Sequence, residues 1–253
     1  MVTVCGLLGL AVGSFLNVVI HRVPRKESVV RPRSRCPHCA EAIRERDNIP
    51  VLSWILLRGR CRACRAPIPA RYPFVELATS VLFVGVALRF GADWAVPAFL
   101  AFVAGLLALA LTDLEHLLLP KRIVHPLILM VGSLLLAAAV AEGRWHRLVV
   151  AAVCGAASFA ALLAIHLANP RWMAFGDVRL APVIGMALGW LGGGYVLLGF
   201  LVANLLGSLI GLALMAARRI SRRSPVPFGV FLALGAYVSV FAGGPILSWY
   251  RGL

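Results

Sequence analysis

The chain has 253 residues, of which 61% are hydrophobic and only 14% charged, with a mean hydropathy of +0.90 and a formal charge of +15. Soluble domains carry roughly a quarter charged residues. A soluble core cannot hide this much apolar surface, so the composition excludes an ordinary soluble domain and points to a polytopic membrane protein. The positive charge would suggest nucleic acid in a soluble chain; in a membrane chain it bears instead on orientation.

Apolar runs long enough to cross a hydrocarbon core of about 30 Å recur along the chain. The first, 2–20, lacks the basic n-region and small-x-small site of a cleaved signal peptide and reads as a retained span. A polar, basic loop follows at 21–72. Seven further runs lie at 73–90, 95–111, 123–141, 147–167, 178–191, 194–217 and 227–250. The 178–191 run is the shortest and contains glycines. The pattern predicts an all-α polytopic membrane protein of about eight transmembrane helices with a small loop domain outside the membrane. It divides the chain into a first helix (1–20), the loop (21–72) and a helical membrane domain (73–253). No low-complexity segment or internal repeat stands out.

Lys and Arg number thirteen in 21–72, two in 112–122, two in 168–179 and four in 217–226, twenty-one on one side of the membrane. The other side holds four: Arg89, Arg144, Arg147 and Arg251. This bias predicts the large loop inside and both termini outside. It accounts for the charge without nucleic acid. Anionic lipid is the expected partner of the basic run at 218–224.

Within the loop, Cys36-Pro-His-Cys39 and Cys61-Arg-Ala-Cys64 form two C-x2-C pairs separated by 21 residues. Such pairs can present four thiolates tetrahedrally, the donor set of structural zinc. A reduced cytoplasmic setting argues against disulfides. A redox dithiol and metal-free cysteines are the alternatives. Four sulfurs leave no open coordination position, so a catalytic metal is not expected, and His38 reads as solvated or supporting rather than ligating. Metal binding would supply much of the loop's folding free energy. Between the pairs, NIPVLSWILLRGR is apolar enough to rest on the membrane or on the first two spans. Cys5 and Cys154 lie within spans and read as packing residues.

Of only ten acidic residues, Asp113 and Asp177 stand just beside apolar runs, at the same predicted end of the membrane. Ionisable groups there are costly and mark function by default. Two carboxylates brought together titrate as a unit, with one proton between them. The charged member can activate water and the protonated one can donate to a carbonyl oxygen, enough to hydrolyse a peptide bond without a covalent intermediate. Pro120 closes the stretch after Asp113, and Gly176 lets a substrate strand approach Asp177. The plainer alternative is that each aspartate caps a helix or pairs with Lys121, Arg122 or Arg179. Glu76 either pairs with Arg71 or shapes a substrate or cofactor site. Glu115, His116 and the other histidines read as interfacial residues. No H-E-x-x-H or G-x-S-x-G motif occurs.

The motifs in order resemble the type IV prepilin peptidases: GSFLNVVIHRVP (13–24), the two cysteine pairs, RYPFVEL (71–77), LTDLEHLLLP (111–120), GDVRLAP (176–182) and PFGVFLALGA (227–236). The resemblance implies a membrane aspartic endopeptidase of the bacterial inner membrane, with Asp113 and Asp177 as its catalytic pair. Such enzymes cleave basic leaders from prepilins and pseudopilins after a glycine, at the cytoplasmic face. Many then methylate the new N-terminus with S-adenosylmethionine, and Cys36, Cys39, Cys61 and Cys64 match the metal knuckles of the bifunctional members. One departure is Ala174, where the family's G-x-G-D motif has its first glycine; it is tolerable unless that position needs φ > 0. A peptidase without methyltransferase activity, a proton-coupled transporter and a non-catalytic docking protein are the competing readings. The oligomeric state and the methyl-donor site are not legible.

Overall fold

The computed structural model describes residues 1–31, 34–170, 173–219, 221 and 226–252. Of the basic run 218–224, Ile220 and residues 222–224 lie outside the described residues. Nearly all regular structure is helical: α1 (Val2–Arg22), α2 (Leu52–Leu56), α3 (Arg71–Phe90), α4 (Val96–His116), α5 (Lys121–Glu142), α6 (Trp145–Ala168), α7 (Phe175–Leu191), α8 (Gly193–Ala216) and α9 (Phe228–Arg251). Among the described residues β structure is confined to two isolated bridges.

Among the described residues seven helices are long and apolar enough to span a membrane. The short run predicted as an eighth span, 178–191, forms α7, which is not among these seven. Its 17 residues span about 26 Å at 1.5 Å per residue. Helix boundaries fall within a few residues of the apolar runs, except at the two polar ends that matter most. α4 continues past the apolar run to His116, so Asp113 lies in its last turn. α7 starts at Phe175 rather than 178, so Asp177 lies in its first turn. Both aspartates are therefore within helices, where the apolar runs stop just short of them.

The chain forms two compact units, Met1–Gly91 and Ala92–Leu253. In the first, α1 and α3 run antiparallel in close contact. A Cβ on Gly9 would lie 2.6 Å from the Ser80 Cα, and one on Gly13 would lie 2.6 Å from the Glu76 Cα. Glycine at one-turn spacing is what brings the backbones this close. The register is pinned by Ser80 Oγ donating to the Gly6 carbonyl (2.9 Å) and Asn17 Nδ2 to the Tyr72 carbonyl (3.1 Å). In the second unit, α7 packs on α4, α5, α6, α8 and α9. Burial on most sides explains how so short a helix is accommodated. Its tightest partner is α6, where a Cβ on Gly189 would stand 2.6 Å from the Cys154 Cβ.

Candidate functional site

In the second unit a cleft of about 300 Å³ is lined by Asp113, Leu119, Gly176, Asp177, Arg179 and Phe228, among others. Three helix ends build it. α4 stops because Leu117 turns into the left-handed region (φ 53°), its N–H donating to the Asp113 carbonyl at 2.8 Å. Pro120, read from sequence as the stop, instead opens α5 as its N-cap. A proline there sacrifices no helical hydrogen bond.

Asp113 is 6% exposed and Asp177 4%. Asp113 Oδ2 accepts the N–H of Gly229 at 2.8 Å, and the carboxylate also interacts with the N–H of Val230. These are the second and third residues of α9, whose own N-cap, Pro227, offers no side-chain acceptor. Orphan amides at a helix start need an acceptor, and Asp113 supplies it from 116 residues away. Asp177 is the third residue of α7. Its carboxylate reaches back to the N–H of the N-cap residue, Ala174. That is the acidic half of a capping box.

The capping alternative is thus realised at both aspartates, while the alternative of ion pairing is not. Among the described residues neither aspartate forms a salt bridge. Arg179 lies over the Phe175 ring at 4.4 Å from its centroid. Capping alone does not account for the arrangement, because the two carboxylates line one cleft. Ala174 has φ −71° and ψ 144°, ordinary extended backbone, so the position makes no demand for glycine.

The sequence did not reveal Gly229. A Cβ there would sit 2.9 Å from Asp113 Oδ2. The only signal was the segment PFG at 227–229. His166 was also missed. Its Nδ1 lies 2.8 Å from the Met173 carbonyl and its ring 5.3 Å from that of Phe175, tying the end of α6 to the start of α7.

In the first unit the Sγ atoms of Cys36, Cys39, Cys61 and Cys64 lie within 4.8 Å of one another. The two knuckles are built alike. Cys36 N–H donates to Glu41 O and Cys61 N–H to Ala66 O; Ala40 N–H returns to Cys36 O and Arg65 N–H to Cys61 O. Ala40 and Arg65 both take positive φ (57° and 61°). Ile43 N–H to Ser34 O and Ile68 N–H to Gly59 O close the two turns. This is a local repeat of about nine residues, Arg-Cys-x2-Cys-x3-Ile, too short to stand out in a survey of the whole chain. A four-sulfur zinc site with Zn–S bonds of about 2.3 Å needs sulfurs about 3.8 Å apart. Cys36 and Cys64 Sγ are 3.8 Å apart, one from each knuckle, so the donor set fits the metal. His38 is exposed and is not part of the cysteine cluster.

Glu76, 7% exposed, accepts the N–H of Val51 at 2.7 Å and is hydrogen-bonded by Ser14. Val51 has φ 61°, costly for a β-branched residue. The buried carboxylate thus anchors the entry to α2, while Leu52, Ile55 and Leu56 stay exposed.

Two family models match the chain in succession. Residues 7–90 match the Bacterial Peptidase A24 N-terminal domain, and residues 100–216 match the Type IV leader peptidase family. The prepilin leader peptidase/N-methyltransferase of Stutzerimonas stutzeri is 36% identical, with 97% of this chain and 92% of that protein aligned. This chain belongs to the type IV leader peptidase family. Proteins of the same name from Aeromonas hydrophila (36% identical; 96% of this chain, 91% of that one) and Pseudomonas aeruginosa (34%; 96% and 91%) agree. No solved structure matches the chain significantly. The two family models fall one in each compact unit, the cysteine knuckles under the first and the aspartate cleft under the second.

Proposed function

We propose that this protein is an aspartic endopeptidase that removes the leader peptide of prepilins or pseudopilins and methylates the new N-terminus with S-adenosylmethionine. The observation that carries the peptidase reading is the shared cleft of Asp113 and Asp177. One carboxylate, ionised, takes a proton from water as it attacks the scissile carbonyl. The other, protonated, donates to the carbonyl oxygen. The first then passes the proton it took from water to the departing amine, and the second takes one back from the diol hydroxyl as the carbonyl re-forms. We assign peptidase chemistry to 73–253 and a structural zinc on Cys36, Cys39, Cys61 and Cys64 to the loop 21–72. When bound, zinc holds the two knuckles together. The twenty-one to four bias of Lys and Arg supports an inner-membrane protein with this loop and the cleft on the cytoplasmic side.

A transporter would use carboxylates near the bilayer midplane, whereas these stand in terminal turns of their helices. A docking protein would need no paired acids. Asparagine separates capping from catalysis, because its side-chain oxygen still accepts an N–H but it cannot hold or release the proton. Asp113→Asn and Asp177→Asn should each abolish cleavage of a model prepilin in liposomes while leaving the protein folded in the membrane. Cleavage retained by either variant would remove the pair from the mechanism.

A further inference from the structure

A second cleft among the described residues is larger than the one at the aspartates. In the first unit a cleft of about 470 Å³ lies between the second half of α1 and the loop that carries the first knuckle. Its wall includes Ser14, Phe15, Val18 and Arg22 from α1, with Ser34 and Asn48 from the loop. Nothing in peptide-bond hydrolysis uses these groups. The volume suits a small-molecule site, commonly some 300–1,000 Å³ with a few polar groups on apolar walls.

We propose that this cleft is the methyl-donor site and takes the sulfonium nucleoside, with Arg22 on the donor's carboxylate, Phe15 against its adenine, and Ser14 and Asn48 on its hydroxyl and ring edges. The inference rests on the reading that the protein also methylates. N-methylation needs a second co-substrate, and a co-substrate of this size needs a cavity of its own. Arg22 is held in place from behind, its Nη1 donating to the Ser28 carbonyl at 3.0 Å. A guanidinium has five N–H donors, so others remain for a carboxylate. Ser14 is held by the buried Glu76. The donor carries no phosphate, so the lack of a glycine-rich phosphate loop does not count against the site.

In the transfer, the lone pair of the substrate's neutral amine forms the new N–C bond. The S–C bond breaks with its electron pair going to sulfur, which becomes a neutral thioether, and the amine's proton leaves to water. The first knuckle is part of the wall, since Ser34 and Ile43 both line the cleft and their backbones close that turn (2.9 Å). Stripping the metal should therefore weaken donor binding as well as loosen the loop.

The test is equilibrium binding of S-adenosylhomocysteine to the full-length protein in detergent, measured by calorimetry, beside transfer of labelled methyl groups to a processed pilin peptide. Arg22→Ala, and Val18→Trp to fill the cleft, should each weaken binding at least tenfold with unchanged zinc content and elution volume. Arg22→Lys should recover part of it. If wild type binds and transfers methyl groups while Arg22→Ala and Val18→Trp bind equally well, the site lies elsewhere and the methyltransferase reading stands. If wild type neither binds nor transfers, that reading falls and takes the site with it.

Discussion

Gly229→Ala is the most direct probe of how the peptidase pair is held. A methyl group there would start 2.9 Å from Asp113 Oδ2, 3.0 Å from Leu119 Cδ2 and 3.3 Å from the Asp113 carboxyl carbon. The residue does not have positive φ, so alanine meets no conformational penalty. Its effect is the collision itself. To regain an ordinary contact near 3.4 Å the carboxylate must retreat by about half an ångström. The 2.8 Å hydrogen bond from the Gly229 amide would stretch towards about 3.3 Å and lose most of its strength. A hydrogen bond to a carboxylate contributes about 1.5–3 kcal/mol. At about 1.4 kcal/mol per tenfold in rate, kcat/KM should fall about 10- to 100-fold. Misplacement of a catalytic group by a fraction of an ångström acts in the same direction. Single-turnover cleavage of a model prepilin measures this. Gly211→Ala is the control, because a Cβ at Gly211 meets nothing within 4 Å. Gly229→Ala cleaving within twofold of wild type would refute the claim that this contact positions Asp113.

Two further outcomes are expected. Cys36→Ser should reduce bound zinc from about one ion per chain to nearly none by atomic absorption and expose the loop to proteolysis, since the metal holds both knuckles; full zinc retention would mean that the sulfurs are not the ligands. Ala174→Gly should change cleavage by less than about twofold, because the position has ordinary extended backbone. A tenfold gain would show that the alanine methyl obstructs the substrate.

The spans were legible because hydrocarbon thickness imposes a length that few other structures need. The ends of α4 and α7 were not, because their last and first turns are polar and look like loop. A helix can extend past its apolar run when its polar end finds partners, as Asp177 does with the amide of Ala174. The cysteine site was legible because ligand type and spacing are local properties. The knuckle repeat was harder, since each copy shares only Arg, two Cys and Ile in matching places. Glu76 was visible as an acid near the membrane. Its acceptance of the Val51 amide was not, because that bond depends on a positive φ which no valine advertises. Gly229 was illegible for a similar reason: a backbone amide leaves no mark in the sequence, and its partner stands 116 residues earlier.

The placement of the two aspartates has a physical logic of its own. Each carboxylate meets the start of a helix, Asp113 at α9 and Asp177 at α7, where aligned amide dipoles stabilise negative charge. Serine, threonine or asparagine would satisfy such amides as well as aspartate does, without ionisation. For capping alone, two acids in one cleft are therefore a poor choice, since each charge disfavours the other. The arrangement makes sense if proton exchange between them is the purpose. The amides then fix each carboxylate by one oxygen. Both residues line the cleft, where water and a peptide can enter. Rigid fixation by helix ends, rather than by lysine or arginine, also spares the pair a neutralising partner. That is consistent with Arg179, which is close enough in sequence to pair with Asp177, lying instead over the Phe175 ring.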